Sequence, residues 1–176
     1  MTIENIFVPV LLLFLSLCSL CAIVISATSE KTLAKEVKIK YKGDAKGMKL
    51  RRIQKGDCID LYVNKPVSYK KGDTVVVDFG VAMELPEGYE AHIYPRSSTY
   101  EKTGLLLTNS VGIIDNAFCG DDDWWSGKFY ATRDGELNIG DRVAQFRLCE
   151  SMPMVIFNEV YKLGNENRGG YGTTGR

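Results

Sequence analysis

Apolar positions fall into two regimes along this chain. Residues 6–27 carry no charge and are dominated by Leu, Val, Ile, Phe and Cys. That is about the length a helix needs to cross the roughly 30 Å hydrocarbon layer of a membrane. From Val37 onward the helical signals disappear. Val37, Ile39 and Tyr41 alternate with lysines, and further short apolar runs stand at 61–63, 75–85, 91–94, 105–107, 113–114, 129–132, 143–148 and 155–157. Turn residues punctuate them at Lys71-Gly72-Asp73, Pro86-Glu87-Gly88, Asp134-Gly135 and Gly140-Asp141. Short β-branched and aromatic runs separated by turns predict an all-β fold, with a double-sheet sandwich or jelly roll as its architecture. Asp134-Gly135 predicts a two-residue hairpin, because glycine tolerates the positive φ of a type I′ turn. The expected layout is a membrane segment at 1–28, a linker at 29–36, a β domain at 37–163 and a Gly-rich C-terminal segment at 164–176.

The 6–27 run reads as an uncleaved transmembrane-type helix ahead of the β domain. A secretory signal wants Lys or Arg before its apolar stretch, and the charged side chain there is Glu4. A signal sequence, a buried helix and a wrongly chosen start codon are the alternatives. Between positions 30 and 55, ten Lys and Arg stand against three acidic residues, an excess of seven positive charges. Positive flanks stay inside, so the expectation is membrane association through 6–27 with the folded domain in the cytoplasm. If the segment is a start-site artefact, the protein is soluble and cytoplasmic. The tail from 164 is rich in Gly, Asn, Thr and Arg, which suits either a disordered end or a flap that closes over a ligand.

Composition narrows the partners. The 176 residues are 45% hydrophobic, enough for one core, and the formal net charge is zero, so no general affinity for nucleic acid is implied. Five cysteines, at 18, 21, 58, 119 and 149, show no disulfide framework and point to a reducing compartment. His92, the single histidine, has no Cys or His at zinc-ligand spacing.

Candidate chemistry concentrates in residues 109–121, NSVGIIDNAFCGD. Ile113 and Ile114 favour an extended strand, while Asn116 and Gly120 supply turn chemistry, so Asp115 sits at the end of a rigid element where a general base belongs. The same run also fits a plain strand ending in a polar turn. Asp60 in GDCIDLY, PRSS at 95–98, the Asp115 strand, RVAQ at 142–145 and RGGYGTTG at 168–175 follow one another along the chain.

In order and spacing these five segments resemble the motifs of the homotrimeric dUTP diphosphatase family, over roughly 37–176. The resemblance implies a dUTPase-like jelly-roll or β-barrel trimer that hydrolyses dUTP to dUMP and pyrophosphate with Mg²⁺, limiting uracil in DNA, at sites shared between subunits. It implies Asp115 as the base that activates water for attack at the α-phosphorus, and Asp60 as a metal contact through water. Arg96, Ser97, Ser98 and Gln145 match phosphate-binding positions. Asn109 matches the side chain that reads uracil, and Phe118 stands where the family usually has Tyr under the deoxyribose. Tyr171 stands where the family usually has Phe over the base, followed by Gly172, Thr173 and Thr174. Arg168 matches the arginine of the last motif, two positions closer to its aromatic than in the common form. Arg142 reads as an ion-pairing residue, and Gly104 as a backbone requirement of the second motif. Two other functions suit the same pocket: a dCTP deaminase-like enzyme of this fold, and a non-catalytic nucleotide-sensing regulatory module. The deaminase would want a glutamate after the third motif, where this chain has Asp121, Asp122 and Asp123.

Overall fold

The computed structural model describes residues 34–43 and 47–170. Eleven strands and one short helix follow in order: β1 (Lys38–Tyr41), β2 (Ile59–Leu61), β3 (Val67–Tyr69), β4 (Thr74–Asp78), β5 (Val81–Glu84), β6 (Tyr89–Pro95), α1 (Thr99–Thr103), β7 (Leu105–Leu107), β8 (Gly112–Ile114), β9 (Ser126–Ala131), β10 (Gly135–Leu137) and β11 (Ala144–Glu150). They form four antiparallel sheets, ordered β1-β5, β10-β3, β2-β11-β6-β8 and β4-β9-β7. The spine is the β6–β11 pair, in register from Ala144 opposite Pro95 to Glu150 opposite Tyr89.

Alternation makes one core from these sheets. Along β9, Gly127, Phe129 and Ala131 point inward while Ser126, Lys128 and Tyr130 point out, as the two-residue period of a strand requires. Leu61, Tyr69, Val77, Val81, Ile93, Leu105, Phe129, Leu137 and Phe146 bring side chains from all four sheets into a single buried cluster. Trp125 is fully buried there and meets Phe146 edge to face, with ring centroids 5.2 Å apart. Burying an aromatic of this kind contributes about 1.5–3 kcal/mol.

Several sequence expectations are corrected. The run at 75–85 is two strands, because Gly80 turns the chain at φ 65° and its N–H donates to Asp78 Oδ1 at 2.8 Å. Asp134-Gly135 closes no hairpin, since β9 and β10 lie in different sheets. Asp134 instead accepts the Lys71 N–H at 2.8 Å, and a Cβ on Gly135 would lie 2.6 Å from Tyr69 Oη. The run at 155–157 forms no strand and is exposed, Phe157 at 91%. Helix α1 was not anticipated, because five residues with one buried side chain, Thr99, carry no readable helical period. Gly104 ends it at φ 71°, and a Cβ there would meet Arg133 Cγ at 2.6 Å.

The expected transmembrane-type helix is corrected as well. Among the described residues no helix is long and apolar enough to cross a membrane. The 6–27 segment that carried this expectation lies outside them. Over the described residues the fold class is a mostly-strand domain with no helix of that kind, and the expected transmembrane helix, membrane association and membrane-anchored localisation find no support there.

Candidate active site

Two groups of predicted residues lie at opposite ends of β6. At its C-terminal end, Asp60 on β2 stands opposite Gln145 on β11, which stands opposite Tyr94 on β6. Directly paired positions present side chains on one face of the sheet, so these three share a surface. Asp60 is largely enclosed and takes two guanidinium groups, Arg96 Nε at 2.7 Å on Oδ1 and an Arg142 N–H at 3.0 Å on Oδ2. Charge-assisted pairs of this kind are the stronger hydrogen bonds. Gln145 Nε2 donates to the Pro95 carbonyl at 3.3 Å.

The loop from Pro95 to Ser98 is fastened to β11 by a side chain the sequence did not single out. Thr99 is buried, accepts the Arg96 N–H at 3.0 Å and donates its hydroxyl to Val143 O at 2.7 Å. Ser97 is exposed and Ser98 half-buried. Ser98 precedes α1 without a side-chain cap bond. A single sequence offers no signal for Thr99 beyond its place after PRSS.

At the other end, Asp115 follows β8, whose Ile114 stands opposite Ala91. Its Oδ1 accepts the N–H groups of Ala117 at 2.9 Å and Phe118 at 3.2 Å. This local Asx turn holds an exposed carboxylate through Oδ1. Asn116 ties the hairpin to the Pro86 carbonyl at 3.3 Å. Asn109, Asp115 and Phe118 are all exposed. Ser110, beside Asn109, holds a left-handed φ of 60°, which is unusual for a residue other than glycine. The turn also brings Asn109 Nδ2 within 3.8 Å of where a Cβ on Gly112 would stand.

Extending the β8 register by one residue sets Asp115 beside Glu90. Arg96 is six positions further along, about 20 Å at the rise of a strand. Within one chain the structure thus gathers Asp60, Arg96, Ser97, Ser98 and Gln145 in one place and Asn109, Asp115 and Phe118 in another. Arg168 lies in the exposed segment 151–170, which has no strand or helix. Tyr171, Gly172, Thr173 and Thr174 lie outside the described residues.

With this geometry in place, comparison with known proteins is decisive: a family model described as dUTPase matches residues 48–175. The chain belongs to the dUTPase family. A prophage-derived deoxyuridine 5'-triphosphate nucleotidohydrolase of Bacillus subtilis is 48% identical over 140 residues, covering 80% of this chain and 98% of that protein. A deoxyuridine 5'-triphosphate nucleotidohydrolase of Nocardia farcinica is 35% identical over 127 residues, covering 70% and 76%. Among solved structures, a mutant dUTPase of Staphylococcus bacteriophage 80alpha with dUpNHpp superposes with a TM-score of 0.66 at 17% identity, covering 80% of this chain and 99% of that one. A mutant dUTPase from phage phi11 of S. aureus, described as coordinating a structural Mg(II) ion, superposes at 0.62 and 17% identity, covering 73% and 98%. These two structures speak for the dUTPase fold. Among the described residues, no group of three or more His, Cys, Asp or Glu could hold a metal ion.

Proposed function

We propose that the chain carries out its family's reaction at sites assembled from more than one copy. The chain is a dUTP diphosphatase: it hydrolyses dUTP to dUMP and pyrophosphate. In the proposed site, Asp115 Oδ2 takes a proton from the water that attacks the α-phosphorus, while Oδ1 stays engaged by the Ala117 and Phe118 N–H groups. Arg96, Ser97, Ser98 and the Gln145 amide bind phosphate oxygens, for which a guanidinium fork and short hydroxyl donors are suited. Asn109 both donates to and accepts from the uracil edge. Phe118 lies flat against the deoxyribose, where a ribose 2′-hydroxyl has no room. From the C-terminal segment, Arg168 reaches the γ-phosphate, Tyr171 stacks on the base, and Gly172, Thr173 and Thr174 close over the phosphates.

Mg²⁺ fits this site if the substrate phosphates and water hold most of its coordination shell. Both Asp60 oxygens already accept a guanidinium N–H, but each keeps a second lone pair, so Asp60 can reach the ion through water. When bound, the ion neutralises charge on the polyphosphate.

The observation that carries the shared site is the distance of about 20 Å along β6 between the Asp115 end and the Arg96 end. One triphosphate cannot use both in a single chain. The exposed segment after β11 supports the same reading. Met154, Ile156, Phe157, Tyr161 and Leu163 are each more than 80% exposed, as expected of an arm that lies against another copy. The assembly is a homotrimer, the form usual in this family. Measuring pyrophosphate from dUTP and ammonia from dCTP, with sedimentation of the same sample, tests the reading. Pyrophosphate, no ammonia and a trimer are expected. Ammonia from dCTP, neither product, or a fully active monomer would overturn it.

A further inference from the structure

The acidic and aromatic stretch 121–125 follows the Asp115 hairpin directly, and its two tryptophans have different fates. Trp125 enters the core, with its backbone N–H donated to Val81 O at 2.8 Å and its carbonyl accepting from the Phe79 backbone N–H at 3.0 Å. Trp124 is half-buried under two ammonium groups, Lys42 Nζ just past β1 at 4.8 Å and Lys40 Nζ on β1 at 5.4 Å from the ring centroid. Lys40 also donates to the Asp121 carbonyl at 2.9 Å and pairs with Asp121 Oδ1 at 3.1 Å. Lys42 pairs with Asp78 Oδ2 at 2.5 Å. Lys40 and Lys42, two positions apart, project to one side of the strand, and the ring face between them is attractive to both.

From these contacts we infer that Lys40, with Lys42 and Trp124, is a positioning residue for the nucleoside-binding hairpin. Among the described residues β1 pairs with β5 alone, and Asp121 is three residues past Phe118. The hairpin's upstream side is fixed by the Asp115 turn and by Asn116 on Pro86. Its downstream side, at Cys119–Asp121, borders a groove of about 240 Å³ against β1 and β5. Lys40 bridges that groove. Gly120 closes the tip, its N–H donated to Asp123 Oδ2 at 2.7 Å, where a Cβ would stand 2.9 Å from the same oxygen. Loosening the bridge frees the hairpin from Cys119 onward, next to the Phe118 side chain, while the Asp115 carboxylate and the Phe118 N–H keep their own turn. The consequence falls on substrate binding more than on turnover.

This inference rests on the reading of the hairpin as the nucleoside site, and the test separates the two. Full-length Lys40→Gln, Lys40→Arg, Lys38→Gln and Asn109→Ala are compared with the parent for kcat and KM on dUTP. Lys38→Gln removes another exposed pair, to Glu84 at 3.0 Å, from the same strand and the same groove, in which the cation is bonded to β5 and not to the hairpin. Lys40→Gln is expected to raise KM about three- to tenfold with kcat within about twofold. Lys40→Arg restores the parent KM and Lys38→Gln leaves it unchanged. If Asn109→Ala raises KM but Lys40→Gln matches Lys38→Gln, the positioning role is wrong. It is equally wrong if Lys40→Arg fails to restore KM. A silent Asn109→Ala would instead sink the nucleoside reading on which the inference stands.

Discussion

The two ends of β6 are built differently. At the Arg96 end, two guanidinium groups meet one enclosed carboxylate, Asp60, and a buried hydroxyl, Thr99, fastens the loop to β11. At the Asp115 end the carboxylate is exposed and is held by the backbone of its own turn. The cross-linking within the chain fixes the donors of the first end in advance, which suits the polyphosphate role proposed for it. The base proposed to act on another copy's substrate is presented outward from a three-residue strand by an Asx turn, with Asn116 on the Pro86 carbonyl as the hairpin's side-chain tie to the rest of the chain.

The strongest test of this contrast is Asp115→Asn. Asparagine keeps the Oδ1 acceptor for Ala117 and Phe118 and loses the basic oxygen, so turnover of dUTP is expected to fall by about 10²–10⁴ with nucleotide binding retained. Near-normal steady-state turnover would remove Asp115 from the chemistry. Next in size is complementation. Neither Asp115→Asn nor Arg96→Ala chains are active alone, but trimers formed by co-refolding the two regain measurable hydrolysis, because one copy supplies the base and another the phosphate loop. A mixture no better than its parents would place both ends in one chain's site.

Thr99→Val probes the cross-linked end alone. It removes the hydroxyl that bridges the Arg96 N–H and the Val143 carbonyl, which keep their direct bond to each other at 3.3 Å, a loss of about 0.5–1.5 kcal/mol in stability, read as a lower denaturant midpoint. Unchanged stability would mean that the loop does not depend on this hydroxyl.

The smallest effect concerns acid, away from both ends. Burial pushes the Asp78 carboxyl upward, but the bonds from Lys42, Gly80 and Asn64 outweigh it and hold it below its ordinary range. The folded state therefore releases this proton at lower pH than the unfolded chain does. The contribution to stability is full above the ordinary Asp value of about 3.9 and is lost as pH falls through the lowered folded value. Denaturant midpoints of the parent and Asp78→Asn should converge as pH drops through that window. A constant gap would argue against the shift.

Much of the β framework was legible because alternation shows wherever a strand has one buried face, as at 129–132 and 143–148. Elements too short or too polar to alternate were not: β3, β10 and α1 bury one side chain each, and their existence depends on partners elsewhere. The exposed run at 155–157 shows the reverse error, apolar residues without a sheet in this chain to join.

By itself the sequence determined the family and the reaction, through five motifs in the family's order, and offered Asp115 as the candidate base, because a β-branched pair followed by a turn puts a carboxylate at the end of a strand. It also marked Asp60, Arg96 and Gln145 as site residues. Only the tertiary structure decided how they are grouped. Arg142 and Asp60 meet from 82 positions apart, and strand register, set by burial across four sheets, sends Asp115 and Arg96 to opposite ends of one strand. The partners of Trp124 belong to the same class of fact, since cation and ring come together only after β1 has docked on β5.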